Sequence, residues 1–288
     1  MGIQPLTTGQ PDKVVFFLSK VTPQSPNASA KRKHPVLKAF LTAFLAALAA
    51  GSIIVALNME TLCGNPCAPF FGGQGGTEGT GGSSSGPPAV STNQTFEEYI
   101  NDTLFIGDSR TNGLANYGFV PRNRVYALDG ANHQTARTEK FLILGSTGEK
   151  LTIAQAVGVV KPARMIVSFG INGVAFMGED TFMEEYAAFL DELKAASPET
   201  ILVVQSILPV SSAMEAEDPR LTNSIIDEYN RRLESLTLEK GGCWLDTAGL
   251  LENAWGALDA AYDAGDGLHF NQQAYEVLLS YYDENRIY

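Results

Sequence analysis

Cysteine and histidine are both scarce, with three of each in 288 residues, and tryptophan occurs twice. Cys63, Cys67 and Cys243 are too few for a disulfide scaffold or a thiolate metal site. The histidines are spread out, and Asp129 with His133 makes half a ligand set at best, so neither metal nor cofactor is expected. Basic charge is also thin. The chain has 20 Lys/Arg against 32 Asp/Glu, and six of the basic residues precede residue 60, leaving 14 basic and 30 acidic residues beyond it. A domain this acidic repels phosphate backbones, so nucleic acid is excluded as a partner. No internal repeat is present.

Long apolar runs are equally rare, with one exception. Ala39 to Leu57 carries no charge and follows Lys31-Arg32-Lys33 and Lys38, which gives it the length to cross a hydrocarbon core. The basic flank sets the N-terminus in the cytoplasm and everything after Asn58 outside. The basic region is longer than a cleavable signal uses, so an uncleaved anchor is expected. The chain then divides into a disordered cytoplasmic tail (1–35), a transmembrane signal anchor (36–58), a flexible Gly/Ser/Pro linker (59–96) and one folded domain (97–288). The apolar run Val14 to Leu18 is too short to span a membrane or nucleate a core. Cys63 and Cys67 sit just outside the anchor, and Cys243 reads as a core residue.

Within the folded block, five apolar runs read as buried parallel strands: Leu104 to Ile106, Val125 to Leu128, Met165 to Phe169, Ile201 to Val204, and Trp244-Leu245. Helical patterns at 152–160, 181–196, 222–240 and 271–283 alternate with them. That alternation predicts an α/β fold, a three-layer α/β/α sandwich around a mainly five-stranded parallel sheet, preceded by one transmembrane helix. Lys161-Pro162 and Ser197-Pro198 mark helix ends.

Chemistry concentrates at two places. Leu104 to Arg110 ends an apolar run in Gly107-Asp108-Ser109, which lifts a serine hydroxyl above the sheet edge where open α/β sheets bind ligands. Gly107 is read as permitting the tight turn. Far downstream, Asp266-Gly267-Leu268-His269 offers a base and an orienting acid from one loop ahead of the last helix. A serine hydroxyl needs such a base, held in the right tautomer by a third group, to act as a nucleophile at neutral pH. His133 has no comparable setting.

This pairing resembles the GDSL or SGNH hydrolase superfamily over residues 100 to 285, most of all its bacterial envelope-associated esterase branch, on Gly170-Ile171-Asn172 and Gln205 to Val210. The resemblance implies a flavodoxin-like SGNH fold with Ser109 as nucleophile, His269 as base and Asp266 as its acid. It also implies an oxyanion hole made by the Ser109 N–H, the Gly130 N–H and the Asn172 side chain. Two positions depart from the family pattern. Arg110 stands where the founding motif has leucine and is expected to be exposed or to meet a polar substrate. Gly173 replaces a second acid, which removes a brace from the loop carrying Asn172. The implied function is a membrane-tethered, extracytoplasmic serine esterase removing small O-acyl groups, acetyl foremost, from a glycan or a related small ester. Its partners would be that acylated carbohydrate and the lipid bilayer through residues 39–57. The alternatives are an O-acetyltransferase acting on envelope glycans and a catalytically weak glycan- or protein-binding module.

Overall fold

The computed structural model describes residues 94–288 and the backbone of residues 16–18. Ala39 to Leu57, the linker, Cys63 and Cys67 lie outside the described residues. In chain order the strands are β1 (Phe16–Leu18), β2 (Thr103–Gly107), β3 (Val125–Ala127), β4 (Leu142–Leu144), β5 (Lys150–Leu151), β6 (Arg164–Ser168), β7 (Ile201–Gln205) and β8 (Cys243–Leu245). The helices are α1 (Phe96–Asn101), α2 (Ser109–Asn116), α3 (His133–Thr138), α4 (Ile153–Val160), α5 (Ile171–Val174), α6 (Glu179–Ala196), α7 (Ser212–Glu217), α8 (Asn223–Glu239) and α9 (Gln272–Glu284).

The five apolar runs form one parallel sheet in the order β3-β2-β6-β7-β8. Such strands are buried on both faces, and β2 is buried at every position. Alternation then sorts its side chains: Leu104 and Ile106 join the core under α4, α6 and α8, while Phe105 joins the core under α9. The three-layer α/β/α arrangement follows. Helix starts coincide with capping side chains, since Thr152, Thr222 and Asn271 each accept a hydrogen bond from a first-turn N–H. Among the described residues no helix is long and apolar enough to cross a membrane.

Gly107 lies opposite Ala127 on one side and Ser168 on the other, so β2, β3 and β6 end together. The sheet order turns about β2, whose neighbours β3 and β6 lie on opposite sides, and ligands of open α/β sheets bind at such a switch point. The expected reason for Gly107 needs correcting. It does not have positive φ; a Cβ there would run into the Thr111 side chain and lie 2.6 Å from the Ser168 carbonyl oxygen. Close packing, not turn geometry, demands the glycine.

A second, antiparallel ribbon orders β1-β4-β5, with Phe17 opposite Ile143. The short run in the N-terminal segment therefore contributes a strand. Cys243, buried in β8, is disulfide-bonded.

Candidate active site

Ser109 is the first residue of α2, immediately beyond β2. Asp108 caps that helix, its carboxylate accepting from the Arg110 N–H at 3.0 Å. The serine is half-buried and its Oγ is 2.9 Å from His269 Nε2. His269 Nδ1 is 2.6 Å from Asp266 Oδ2. Burial works against the Asp266 charge, but hydrogen bonds from the His269 backbone and ring and from the Leu268 N–H bring its pKa down to about 2. An ionised carboxylate only accepts, so Nδ1 carries the proton and Nε2 is left to accept from the Ser109 hydroxyl.

The loop holding the pair is fixed by its own acid. Asp266 Oδ1 accepts from the Leu268 and His269 N–H groups at 2.9 and 2.7 Å, so one carboxylate both shapes the turn and orients the ring. Gly267 sits at φ +74° and its carbonyl accepts from the Ser211 N–H at 2.9 Å, pinning the turn to the segment beyond β7.

Asn172 also arrives at this edge, four residues past the end of β6. Its Nδ2 donates to Asp108 Oδ2 at 3.2 Å and to the Ala131 carbonyl at 3.0 Å. Both partners accept, which fixes the amide with nitrogen toward the Ser109 turn. Asp108 is 2% exposed, and burial pushes its carboxyl up to about 6 against the pull of Arg110. Gly130 lies three residues beyond β3, at φ +72° with open space where a Cβ would stand. The preceding residue is braced: Asp129 Oδ1 accepts from Asn112 Nδ2 at 2.5 Å, and Asn112 Oδ1 accepts from Arg122 at 2.9 Å. This brace joins the Gly130 turn to α2. Nothing in the sequence marked Asn112 or Arg122, because asparagine and arginine on a helix usually face solvent.

Ser109, Asp266 and His269 therefore meet, and Gly130 and Asn172 stand at the same sheet edge. The two departures behave differently from expectation. Arg110 is neither exposed nor placed for substrate. It is 6% exposed and donates from Nε to the Leu268 carbonyl (2.9 Å), from Nη1 to Leu208 (2.7 Å) and from Nη2 to Pro209 (3.1 Å). Burial lowers its pKa to about 10, which leaves it a cation at neutral pH. Gly173 is not a missing brace either. A Cβ there would lie 2.6 Å from Phe182 and 3.0 Å from His133, so packing holds this loop where an acid would not fit. His133 is fully buried, edge-on to Phe182 at 4.3 Å, and burial lowers its pKa to about 4. His133 Nε2 is 3.1 Å from the Phe182 carbonyl oxygen, and among the described residues no group of three His, Cys, Asp or Glu is placed to hold a metal.

The sequence profile of the GDSL-like lipase/acylhydrolase family matches residues 105–277. No curated protein matches the chain in sequence. Among solved structures, it is similar to a protein described as a platelet activating factor from Streptococcus pneumonia, at 16% identity and TM-score 0.50, covering 67% of this chain and 91% of that one. It is also similar to an acylhydrolase from Bacteroides fragilis (18%, 62% and 82%, TM-score 0.47). A third is an acetyl xylan esterase from Geobacillus stearothermophilus (18%, 64% and 94%, TM-score 0.44). At these identities the likeness is one of fold.

Proposed function

Given that the chain belongs to the GDSL-like lipase/acylhydrolase family and is an SGNH-type hydrolase, we propose that it is a serine esterase that removes small acyl groups, acetyl foremost, from hydroxyls of a glycan. The observation that carries the mechanism is the unbroken relay from Ser109 Oγ through His269 to Asp266. Ser109 attacks the acyl carbon while His269 Nε2 takes the hydroxyl proton and Asp266 holds the resulting imidazolium. The carbonyl oxygen gains charge against the Ser109 N–H, the Gly130 N–H and Asn172, for which one of the two Asn172 hydrogens turns from its resting acceptor to the oxyanion. As the intermediate collapses and the bond from the acyl carbon to the sugar oxygen breaks, His269 gives its proton to that oxygen, which leaves as the hydroxyl. Water, deprotonated by the same nitrogen, then releases the carboxylic acid and restores Ser109.

Two voids abut the nucleophile turn. One of about 10 Å³ lies against Asp108, Arg110 and Ile171, and one of about 20 Å³ against Arg110, Gln205 and Tyr275. Each has room for about one water. Neither is lined by Ser109, Asn172 or His269, so the short acyl group rests on the resemblance to the esterase branch and not on a pocket. The expected result is rapid release of acetate from aryl acetate and acetylated glycan, with octanoyl esters at least about tenfold slower, as for a site that rejects added methylenes. Equal rates across chain lengths refute the small-acyl assignment, and acyl transfer to added sugar outrunning hydrolysis makes the enzyme a transferase.

The proposal places this domain outside the cell on the tether formed by residues 39–57. A disulfide at Cys243 supports an oxidising compartment. Residues 16–18 precede that segment and residues 142–144 follow it, so a single crossing would part β1 from β4, and the tether and the pairing exclude each other. Protease added to wall-free cells distinguishes the arrangements. A protected N-terminal tag with a digested catalytic domain is expected under the tether and means that β1 leaves β4 in the membrane-bound protein, whereas digestion of both ends overturns the tether and keeps the pairing.

A further inference from the structure

We infer that Phe176 is the platform on which a sugar ring of the ester substrate stacks, a role that rests on the esterase reading above. Phe176 is 74% exposed, unusual for a phenylalanine held on an ordered segment. Order here has visible causes: the Phe176 and Met177 N–H groups donate to the Gly173 carbonyl at 3.1 and 2.8 Å, and the Tyr229 hydroxyl donates to the Met177 carbonyl at 3.0 Å. Helical hydrogen bonding thus continues past α5 through Met177. Residues four apart on a helix stand on one face, about 6 Å between Cβ atoms, so Phe176 lies one turn outward of Asn172.

The surroundings select the ligand. Arg220 Cζ lies 5.2 Å from the ring centroid, and its guanidinium is locked by Asp218 through Nε to Oδ1 (2.8 Å) and Nη2 to Oδ2 (2.6 Å). Arg220 thus covers one face of the ring, and the exposure of Phe176 leaves the other as a flat apolar surface with the Arg220–Asp218 pair beside it. An alkyl chain seeks a concave apolar slot, and this is a projecting ring. A pyranose has the matching chemistry, with an apolar C–H face and hydroxyls around its edge. An ester carbonyl near Asn172 would leave the sugar that bears it within reach of this ring.

Acetylated xylohexaose and methyl acetate separate the platform from the chemistry. Phe176→Ala and Phe176→Leu are expected to lower kcat/KM on the oligosaccharide ester about tenfold more than on methyl acetate, and Phe176→Trp to restore it, since leucine keeps apolarity without a flat face. Calorimetric titration of Ser109→Ala with the acetylated xylohexaose is expected to give a Kd that weakens by a similar factor when Phe176→Ala is added. Equal losses on both esters, or no binding by Ser109→Ala, overturn the platform. A wild type that binds the oligosaccharide and cleaves neither ester instead removes the esterase reading and leaves the platform standing.

Discussion

Ser109→Ala is expected to lower kcat by about 10⁴-fold or more and to abolish labelling by a fluorophosphonate, while leaving the thermal transition within a degree or two of wild type. The size follows from the geometry. In the proposed mechanism the hydroxyl is the group that the relay activates, with 2.9 Å to Nε2 and 2.6 Å from Nδ1 to Asp266, and alanine offers no atom in its place. The fold has little to lose, because Ser109 is the first residue of α2, where the cap is supplied by Asp108 and alanine is a good helix former. Residual activity comes from the oxyanion donors, since Asn172 and the backbone N–H groups remain. Removing one such donor costs about 10²- to 10³-fold by itself. Stoichiometric labelling of the alanine variant at another serine, or a kcat within tenfold of wild type, removes Ser109 from the mechanism.

What the sequence discloses here depends on whether the deciding interaction is local. Strands β2, β3, β6, β7 and β8 are legible because two-sided burial needs continuous apolar runs, and the ends of α4, α8 and α9 because Thr152, Thr222 and Asn271 cap them within a turn. The Ser109 turn and the Asp266-to-His269 loop are legible for a related reason, since each is one short segment with its own hydrogen bonds. Contacts across the molecule are silent. The two- and three-residue strands of the β1-β4-β5 ribbon lack the length to show a period, and the β1-β4 pairing joins residues more than a hundred positions apart. The need for glycine at 173 comes from Phe182 and His133 closing on it, which no local pattern announces. Arg110 is the clearest case. A position that looks like a motif variation facing solvent or substrate is decided by three carbonyls at 208, 209 and 268.

Replacing Arg110 by the leucine of the founding motif should therefore damage the protein, although it makes the sequence look more typical of its family. Arg110→Leu removes donors from Leu208, Pro209 and Leu268 together, and leucine cannot reach any of them. It also withdraws the cation that opposes the rise in the Asp108 pKa, leaving that buried carboxylate harder to ionise. Breaking a buried charged network of this kind costs about 3–5 kcal/mol. In a domain of this size that amounts to a fall in Tm of about 10 °C, readable by calorimetry. Catalysis suffers by a separate route. The Leu268 carbonyl adjoins His269, so losing the arginine frees the loop that sets the Ser109 to Nε2 distance, and a displacement of about 1 Å is worth about 10²-fold in kcat at temperatures where the variant is folded. Arg110→Lys divides the two effects: it keeps a positive charge beside Asp108 but lacks the planar fork that serves three carbonyls at once. Lysine is thus expected to recover part of the Tm and little of the kcat. A leucine variant as stable and as active as wild type would mean that the three carbonyls find other donors and that Arg110 fixes neither the loop nor the turn.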